Sequence, residues 1–217
     1  MLRNFRQSLS STAQIYTEQI SGKVDKINSG SLELVSLAAS SQNYYTSSPL
    51  GRYLTQQDIL TRLQDRIRYV ESNDLYFFYR TDSDELLTAL SNRASTGSSY
   101  FWNQYLMLPP TQPANTWFSV TCNGETWLMC YYNVSQVRVG AAVRAKTLLQ
   151  SLYADTGLVQ DSGFALAGLD GTIVYSSQPD LMACGTSLAG HIPASLIVES
   201  HTVPEVGTLL LFRPSSD

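Results

Sequence analysis

The sequence has few charged side chains and no long hydrophobic run. Charged residues make up 15% of its 217 residues, and the formal net charge is −4. A nucleic-acid-binding protein needs a basic surface, so this charge argues against that class. No segment reaches the roughly 18 apolar residues of a membrane-spanning helix, and no signal peptide with an apolar centre is present. We therefore expect a soluble chain whose uncharged polar surface suits an exported protein.

Cysteine and histidine are also scarce. The sequence has three cysteines, Cys122, Cys130 and Cys184, and an odd number excludes a closed disulfide framework. If Asn-Gly at 123–124 is a two-residue turn, strand register separates Cys122 from Cys130, so we expect buried or idle thiols. His191 and His201 alone are too few ligands for a metal site.

Common catalytic motifs are missing as well. The sequence contains no Walker loop, no His-Glu-x-x-His, no Gly-x-Ser-x-Gly and no Cys-x-x-Cys. Asp170 precedes Gly171, as a tight hairpin turn requires, so it is interpreted as a turn residue and not as a catalytic acid. We predict no catalytic residue, no metal and no cofactor.

Helical periodicity dominates the first part of the chain. Residues 2–42 predict one long helix, with an apolar stripe at about 3.6 residues per turn formed by Leu9, Ala13, Tyr16, Ile20, Val24, Ile27, Leu34 and Ala38. Such a helix would be about 60 Å long, so we expect it to project as a stalk or to pair with another chain. Residues 43–53 read as a loop. A second helix is expected from a capping box at Thr55 and Asp58, through an Asp58–Arg62 pair, to about residue 74.

Strand patterns follow in two groups. The first predicts a sheet near 73–143, with strands at 75–79 and 137–143 and an Asn-Gly hairpin joining 117–122 to 126–133. Residues 82–115 look irregular, with one short helical piece at 85–90. A helix over 145–153 and a loop over 154–161 lead to a second sheet near 162–213, with strands at 164–169, 172–176, 196–203 and 208–212. The fold class is therefore α+β, a long N-terminal helix followed by two antiparallel sheets, the second small.

Residues 137–177, VRVGAAVRAKTLLQSLYADTGLVQDSGFALAGLDGTIVYSS, carry a family signal. The Gly-plus-small-apolar strand, the helix with paired leucines and the Asp-Gly turn before Ile-Val-Tyr-Ser resemble the double Cache sensors of bacterial histidine kinases and chemoreceptors. The resemblance implies two PAS-like modules, at 43–153 (membrane-distal) and 154–217 (membrane-proximal), behind a dimer helix at 1–42. It also implies an extracytoplasmic location, membrane attachment only through flanking spans outside this chain, and a homodimer through the N-terminal helix.

One departure from that family concerns the ligand. Amino-acid-binding members carry an Arg closely followed by Trp-Tyr, and later a Tyr and an Asp. Here Arg93 is followed only distantly by Tyr100 and Trp102, and Tyr131 is followed by Tyr132 and Asn133 without an Asp. No amino-acid specificity is therefore transferred, and the short second module is expected to transmit signal without a ligand.

Aromatic residues of the first module are the candidate ligand site. A small-molecule pocket is commonly apolar and aromatic with a few placed polar groups. The candidates are Tyr79, Arg93, Tyr100, Trp102, Trp117, Trp127 and Tyr131, with Arg80 as a second possible partner for a carboxylate. The alternative is that most of these rings are ordinary core and the arginines are solvated. Trp127, Met129 and Tyr131 share one strand face, but the pattern does not say which face meets a pocket.

The functional hypothesis is a sensor module that binds a small molecule on its first sheet, with a histidine kinase as the expected output domain. Closure of residues 82–115 over the ligand would favour one of two arrangements of paired helices. Two alternatives remain. One is a similar module that recognises a partner protein, and the other is a hydrolase with a shallow site.

Overall fold

The computed structural model describes residues 2–41, 48–70, 73–94, 96–154, 162–190 and 192–215. Its helices are α1 (Leu2–Ser41), α2 (Pro49–Tyr69), α3 (Thr96–Met107), α4 (Ala145–Leu148) and α5 (Gln150–Ala154). Its strands are β1 (Leu75–Arg80), β2 (Glu85–Leu90), β3 (Phe118–Cys122), β4 (Glu125–Val134), β5 (Val137–Arg144), β6 (Gly163–Ala167), β7 (Ile173–Ser176), β8 (Leu196–Val203) and β9 (Gly207–Pro214). The predicted α+β class is confirmed.

Helix α1 is one continuous helix, as the periodicity predicts. Every residue of its apolar stripe from Leu9 to Ala38 is at most 9% exposed within the single chain. Ser31 fills the gap in the stripe, buried and donating from Oγ to Ile27 O over 3.1 Å. The chain itself therefore covers the apolar stripe, and the expectation that a helix of this length projects as a stalk or pairs with another chain stays a prediction.

Helix α2 begins earlier than its sequence pattern indicates. Ser48 is the N-cap, its Oγ accepts from Gly51 N over 3.3 Å, and Pro49 stands at the first helical position, where its missing N–H leaves no helical bond unmade. The predicted start at Thr55 is wrong, since Thr55 Oγ1 donates back to Gly51 O inside the helix. The part of the predicted loop at 49–53 is helical, and residues 43–47 lie outside the described residues. The Asp58–Arg62 pair is confirmed at 3.1 Å.

The first sheet has five strands in the order β2-β1-β5-β4-β3, and β1 pairs antiparallel with both β2 and β5. The predicted helical piece at 85–90 is wrong. Residues 85–90 form β2, which pairs residue for residue with β1 after a turn completed by Asp84 at φ 52°. Tertiary pairing overrides the local pattern there. Helix α3, over residues expected to be irregular, is the second correction in this region.

The second sheet has four strands in the order β7-β6-β9-β8. Its core consists of Ala165, Ala167, Ile173, Met182, Leu210 and Phe212. Gly207 adopts φ 149°, and a Cβ there would lie 1.9 Å from Ala167 O, so only glycine fits this close strand approach. The second predicted sheet is confirmed. Of the predicted loop at 154–161, Ala154 is the last residue of α5, and residues 155–161 lie outside the described residues.

The chain forms two compact units. One comprises Met1–Lys23, Trp117–Ser119 and Leu148–Asp217, and the other comprises Val24–Thr116 and Val120–Thr147. The helix predicted over 145–153 is divided into α4 and α5. Its three leucines point inward as expected, since Leu148, Leu149 and Leu152 are fully buried.

Candidate ligand-binding site

One face of the five-stranded sheet carries aromatic and basic side chains. In the strand register, Tyr79 lies opposite Arg138, and Trp127 lies opposite Arg144. Tyr131 lies opposite Gly140, two residues beyond Arg138 on β5. Side chains separated by two residues on a strand share a face. We name this surface, which bears Tyr79, Trp127, Tyr131, Arg138 and Arg144, the α3 face, because α3 contacts its aromatic and basic groups.

Gly140 keeps the middle of the α3 face flat. A Cβ at this position would lie 2.3 Å from Cys130 O and 2.9 Å from a ring carbon of Phe77. The Gly-plus-small-apolar pattern of β5 thus lets large side chains from β1 and β4 cover the central strand. The glycine and small apolar residues at 139–143 thus allow the backbone of β4 and the ring of Phe77 to lie close to β5.

Two tryptophans join α3 to this face. Trp102 of α3 and Trp127 of β4 are both fully buried, and their rings meet edge to face with centroids 5.2 Å apart. Tyr105 extends the cluster, 5.7 Å from Trp102. Such pairs contribute about 0.5–1.5 kcal/mol beyond the area they bury. The cluster therefore anchors α3 over the sheet.

Arg138 is the polar centre of the α3 face. It is only 8% exposed, and its guanidinium carbon lies 5.4 Å from the ring centroid of Tyr79 and 5.7 Å from that of Tyr131. Its Nη1 donates to Leu106 O and Leu108 O, each over 3.0 Å, at the end of α3. Burial lowers the pKa of this guanidinium from its usual value.

The segment 108–116 lies beside this centre and is attached to it by backbone groups. Tyr131 OH donates to Gln112 O, and Asn115 N donates to Tyr131 O over 2.9 Å. Residues 108–113 of the segment are exposed. A solvent-exposed segment is thus fastened to the same two side chains, Tyr131 and Arg138, that define the polar centre.

Tyr79 closes the other side of Arg138. Its hydroxyl donates to Asp84 Oδ1 over 2.7 Å. That hydrogen bond to a carboxylate is the main cause that raises the pKa of Tyr79, followed by burial. The Asp84 carboxylate therefore accepts the Tyr79 hydroxyl and makes no ion pair with Arg138.

A buried ion pair fixes the opposite end of the face. Asp74 is fully buried and accepts from Arg144 N, Nε and Nη2 over 3.0, 3.3 and 3.1 Å, and from Ser91 Oγ over 2.8 Å. The guanidinium of Arg144 also lies 6.0 Å from the centroid of Trp127. The carboxylate thus joins the starts of β1 and α4 to the end of β2.

The structure brings together four of the seven predicted site residues on or against the α3 face, namely Tyr79, Trp102, Trp127 and Tyr131. Trp117 is 4% exposed but belongs to the other compact unit. Tyr100 is 71% exposed on α3, where Gln104 Nε2 donates to its hydroxyl over 2.8 Å. Arg80 makes a short ion pair with Asp82.

Arg93 lies elsewhere on the same unit. It is exposed and lines an open cleft of about 570 Å³ between α2 and the end of β2, together with Ile67, Arg68, Leu90 and other residues. The structure therefore does not bring Arg93 to the aromatic residues of the α3 face.

Sequence reasoning missed Arg138, Arg144 and Asp74. The available signal was a basic residue inside an apolar strand, Val137-Arg138-Val139. A charged side chain at such a position must lie on a face that holds a polar partner or ligand. Arg80, by contrast, is the last residue of β1, and Arg93 lies three residues beyond the end of β2.

Other site chemistries find little support in the described part of the chain. No cluster of three or more His, Cys, Asp or Glu side chains with metal-binding geometry occurs there. Among the described residues no disulfide is formed, and Cys122 and Cys130 are buried whereas Cys184 is exposed. Among the described helices, none has the length and apolar character of a membrane span.

No protein-family model and no curated protein matches the sequence. Solved structures match its fold. The periplasmic sensory domain of the Campylobacter jejuni chemoreceptor Tlp1 has a TM-score of 0.66 at 10% identity, covering 99% of this chain and 96% of that chain. The ligand-binding domain of Pseudomonas aeruginosa PctB, in complex with L-Arg, has a TM-score of 0.57 at 13% identity, covering 98% and 96%. The ligand-binding domain of the Pseudomonas fluorescens chemoreceptor CtaA, in complex with L-serine, has a TM-score of 0.55 at 13% identity, covering 99% of this chain and 99% of that chain.

These likenesses define a class by fold. The chain has the fold of periplasmic sensory domains of bacterial receptors, a long helix followed by two antiparallel sheets. The double-Cache-like layout expected from residues 137–177 is confirmed as a fold.

Proposed function

We propose that this chain is the extracytoplasmic sensor portion of a bacterial transmembrane receptor and that it binds a small molecule on the α3 face. The observation that carries the proposal is Arg138, a buried cation held between Tyr79 and Tyr131 beside an exposed segment. An aromatic site with one fixed polar group is typical of small-ligand recognition. The fold likeness to ligand-binding domains of PctB and CtaA supports the same conclusion.

The proposal assigns the modules and their roles. Residues 43–153 form the membrane-distal ligand-binding module, and residues 154–217 form a smaller membrane-proximal module. The chain itself is not an enzyme, and its output domain is a histidine kinase outside this sequence. The segment 108–116 responds to the ligand, because its backbone is bonded to Tyr131 and Arg138.

The proposed receptor is a homodimer through α1. Because the apolar stripe of α1 is buried within the chain, the dimer contact must use its exposed side, which includes Gln14, Glu18, Asp25 and Ser29. This side also bears Ile15 and Leu32, which are both exposed, so the contact would combine polar and apolar side chains. Sedimentation equilibrium of the purified chain tests it, and a monomer at every concentration, with and without ligand, contradicts it.

A thermal-shift screen tests ligand binding. The purified chain is mixed with amino acids, organic acids, sugars and nucleosides, and its Tm is measured. A ligand that binds only the folded state stabilises it by about 2.7 kcal/mol at 100 times its Kd, which raises the Tm by several degrees. Trp102→Ala and Tyr131→Phe should reduce the shift, whereas Tyr53→Phe, at an exposed site on α2, should not. A panel without any shift contradicts the proposal and favours a protein partner.

A further inference from the structure

The charge of Arg138 has no acidic counterpart. Its hydrogen bonds reach two backbone carbonyls, and no carboxylate among the described residues lies within ion-pair distance of it. Buried arginines are normally paired, because a buried charge without compensation is strongly unfavourable. The two carbonyls and the two tyrosine rings compensate this cation only in part. A negative charge placed beside Arg138 would therefore be stabilised by it.

Two carboxylates beside this face already accept hydrogen bonds. Asp84 accepts the hydroxyl of Tyr79, and Asp74 accepts three hydrogen bonds from Arg144 and one from Ser91. Asp74 thus accepts four hydrogen bonds and has no room for a further donor, and Asp84 is held by Tyr79 without pairing with Arg138. Asn133, at the position after the Tyr131-Tyr132 pair, is exposed and neutral.

The buried side-chain atoms on or against the α3 face that lack a hydrogen-bond partner are all nitrogen donors. Among the described residues, its buried side-chain atoms without a hydrogen-bond partner are Arg138 Nε, Trp102 Nε1 and Trp127 Nε1. All three are donors, since a guanidinium and an indole have no acceptor. In the strand register Trp127 lies opposite Arg144, six residues along β5 from Arg138, so the donor that a small ligand could meet beside Arg138 is Nε, and that ligand must contribute an acceptor.

We infer that the ligand is a small organic acid without an amino group, whose carboxylate pairs with the Arg138 guanidinium. This inference rests on the proposed function, and it adds the chemical class of the ligand. A guanidinium presents two parallel donors to a carboxylate, so Nε and a terminal nitrogen suit bidentate recognition. An α-amino acid would bring an ammonium group next to a buried cation that has no carboxylate partner among the described residues.

Matched ligands separate these possibilities. Isothermal titration compares L-lactate with L-alanine and with lactamide, and succinate with L-aspartate and with succinamide. The expected result is that at least one acid binds, that its amino-acid counterpart binds at least tenfold more weakly, and that its amide does not bind. An amino acid that binds as well as the matching acid overturns the inference.

Variants identify the residue. Arg138→Gln should reduce the affinity for the acid at least tenfold, whereas Arg80→Gln, whose native side chain pairs with Asp82, should leave it unchanged. Arg138→Lys keeps the charge without the planar fork, so it should bind the acid with intermediate affinity. If circular dichroism shows that Arg138→Gln is unfolded, Arg138→Lys replaces it as the test variant. Unchanged affinity in a folded Arg138→Gln or Arg138→Lys protein overturns the assignment.

The same titrations distinguish this inference from the proposed function. If only neutral compounds such as a sugar or a nucleoside bind, and Arg138→Gln leaves their affinity unchanged, the organic-acid inference is wrong and the small-molecule sensor stands. If no compound of any class binds, both are rejected.

Discussion

Asp74 shows how much one buried side chain can matter in this protein. It is fully buried, and its carboxylate accepts hydrogen bonds from Arg144 and Ser91. Removing one partner of a buried pair leaves the other charge without compensation, so Asp74→Ala should lower the free energy of unfolding by about 3–5 kcal/mol. Urea denaturation measures it. The control is Asp58→Ala, which removes the exposed pair with Arg62 and should change stability by about 1 kcal/mol or less. Equal effects of the two changes would contradict the role assigned to Asp74.

The positions of the candidate site residues were only partly predictable from the sequence. Alternation along β4 placed Trp127 and Tyr131 on one face, and the structure confirms this through their partners Arg144 and Gly140. The face could not be matched to a pocket, because that depends on Trp102 of α3, a helix that the sequence did not predict. The position of Arg138 inside an apolar strand is visible in the sequence, but the lack of a carboxylate partner among the described residues follows only from the tertiary structure.

At the scale of the element, two glycines of α1 differ in what surrounds them. A Cβ at Gly22 would meet nothing within 4 Å, whereas one at Gly30 would lie 2.2 Å from Tyr76 Oη and 2.9 Å from Tyr76 Cζ. Gly22→Ala should therefore raise the free energy of unfolding by about 0.5–1 kcal/mol, through helix propensity. Gly30→Ala should lower it by about 1–3 kcal/mol, because Tyr76 is fully buried and must shift.

Thermal or urea unfolding of both variants checks this difference. Tyr76→Phe in the Gly30→Ala background removes the nearest atom, the hydroxyl that donates to Ile27 O, and should recover part of the loss. An increase in stability for Gly30→Ala equal to that for Gly22→Ala would show that Tyr76 does not pack against this glycine.

Helices with a long apolar period were predictable, whereas short elements were not. The stripe of α1 repeats over many turns, so its pattern identifies it without tertiary information. Strand β2 has six residues, of which only Ala89 is buried, and it gains its strand form from pairing with β1. Helix α3 contains Gly97 and several aromatic residues of modest helix propensity, and its packing on Trp127 stabilises it.

At the scale of the whole molecule, the order of elements carried the most information. One long helical pattern, an Asn-Gly hairpin and an Asp-Gly turn sufficed to predict two antiparallel sheets in sequence, and both exist. The division into two compact units did not follow from that order, since α1 contributes to both. A helix that continues through two cores has one uninterrupted stripe, and nothing in the stripe marks where one core ends.

The two sheets have cores of their own, and that predicts how local stability responds to mutation. Phe212 is fully buried in the core of the four-stranded sheet, and Phe77 is fully buried in the five-stranded sheet. Phe→Ala changes in a core lower stability by about 3–5 kcal/mol. Amide hydrogen exchange should therefore speed up in β6 and β9 for Phe212→Ala, while β1 and β5 keep more of their protection. Phe77→Ala should give the reverse pattern. If either variant accelerates exchange equally in both sheets, the two units unfold as one cooperative body, and a ligand on the α3 face would then stabilise both sheets alike.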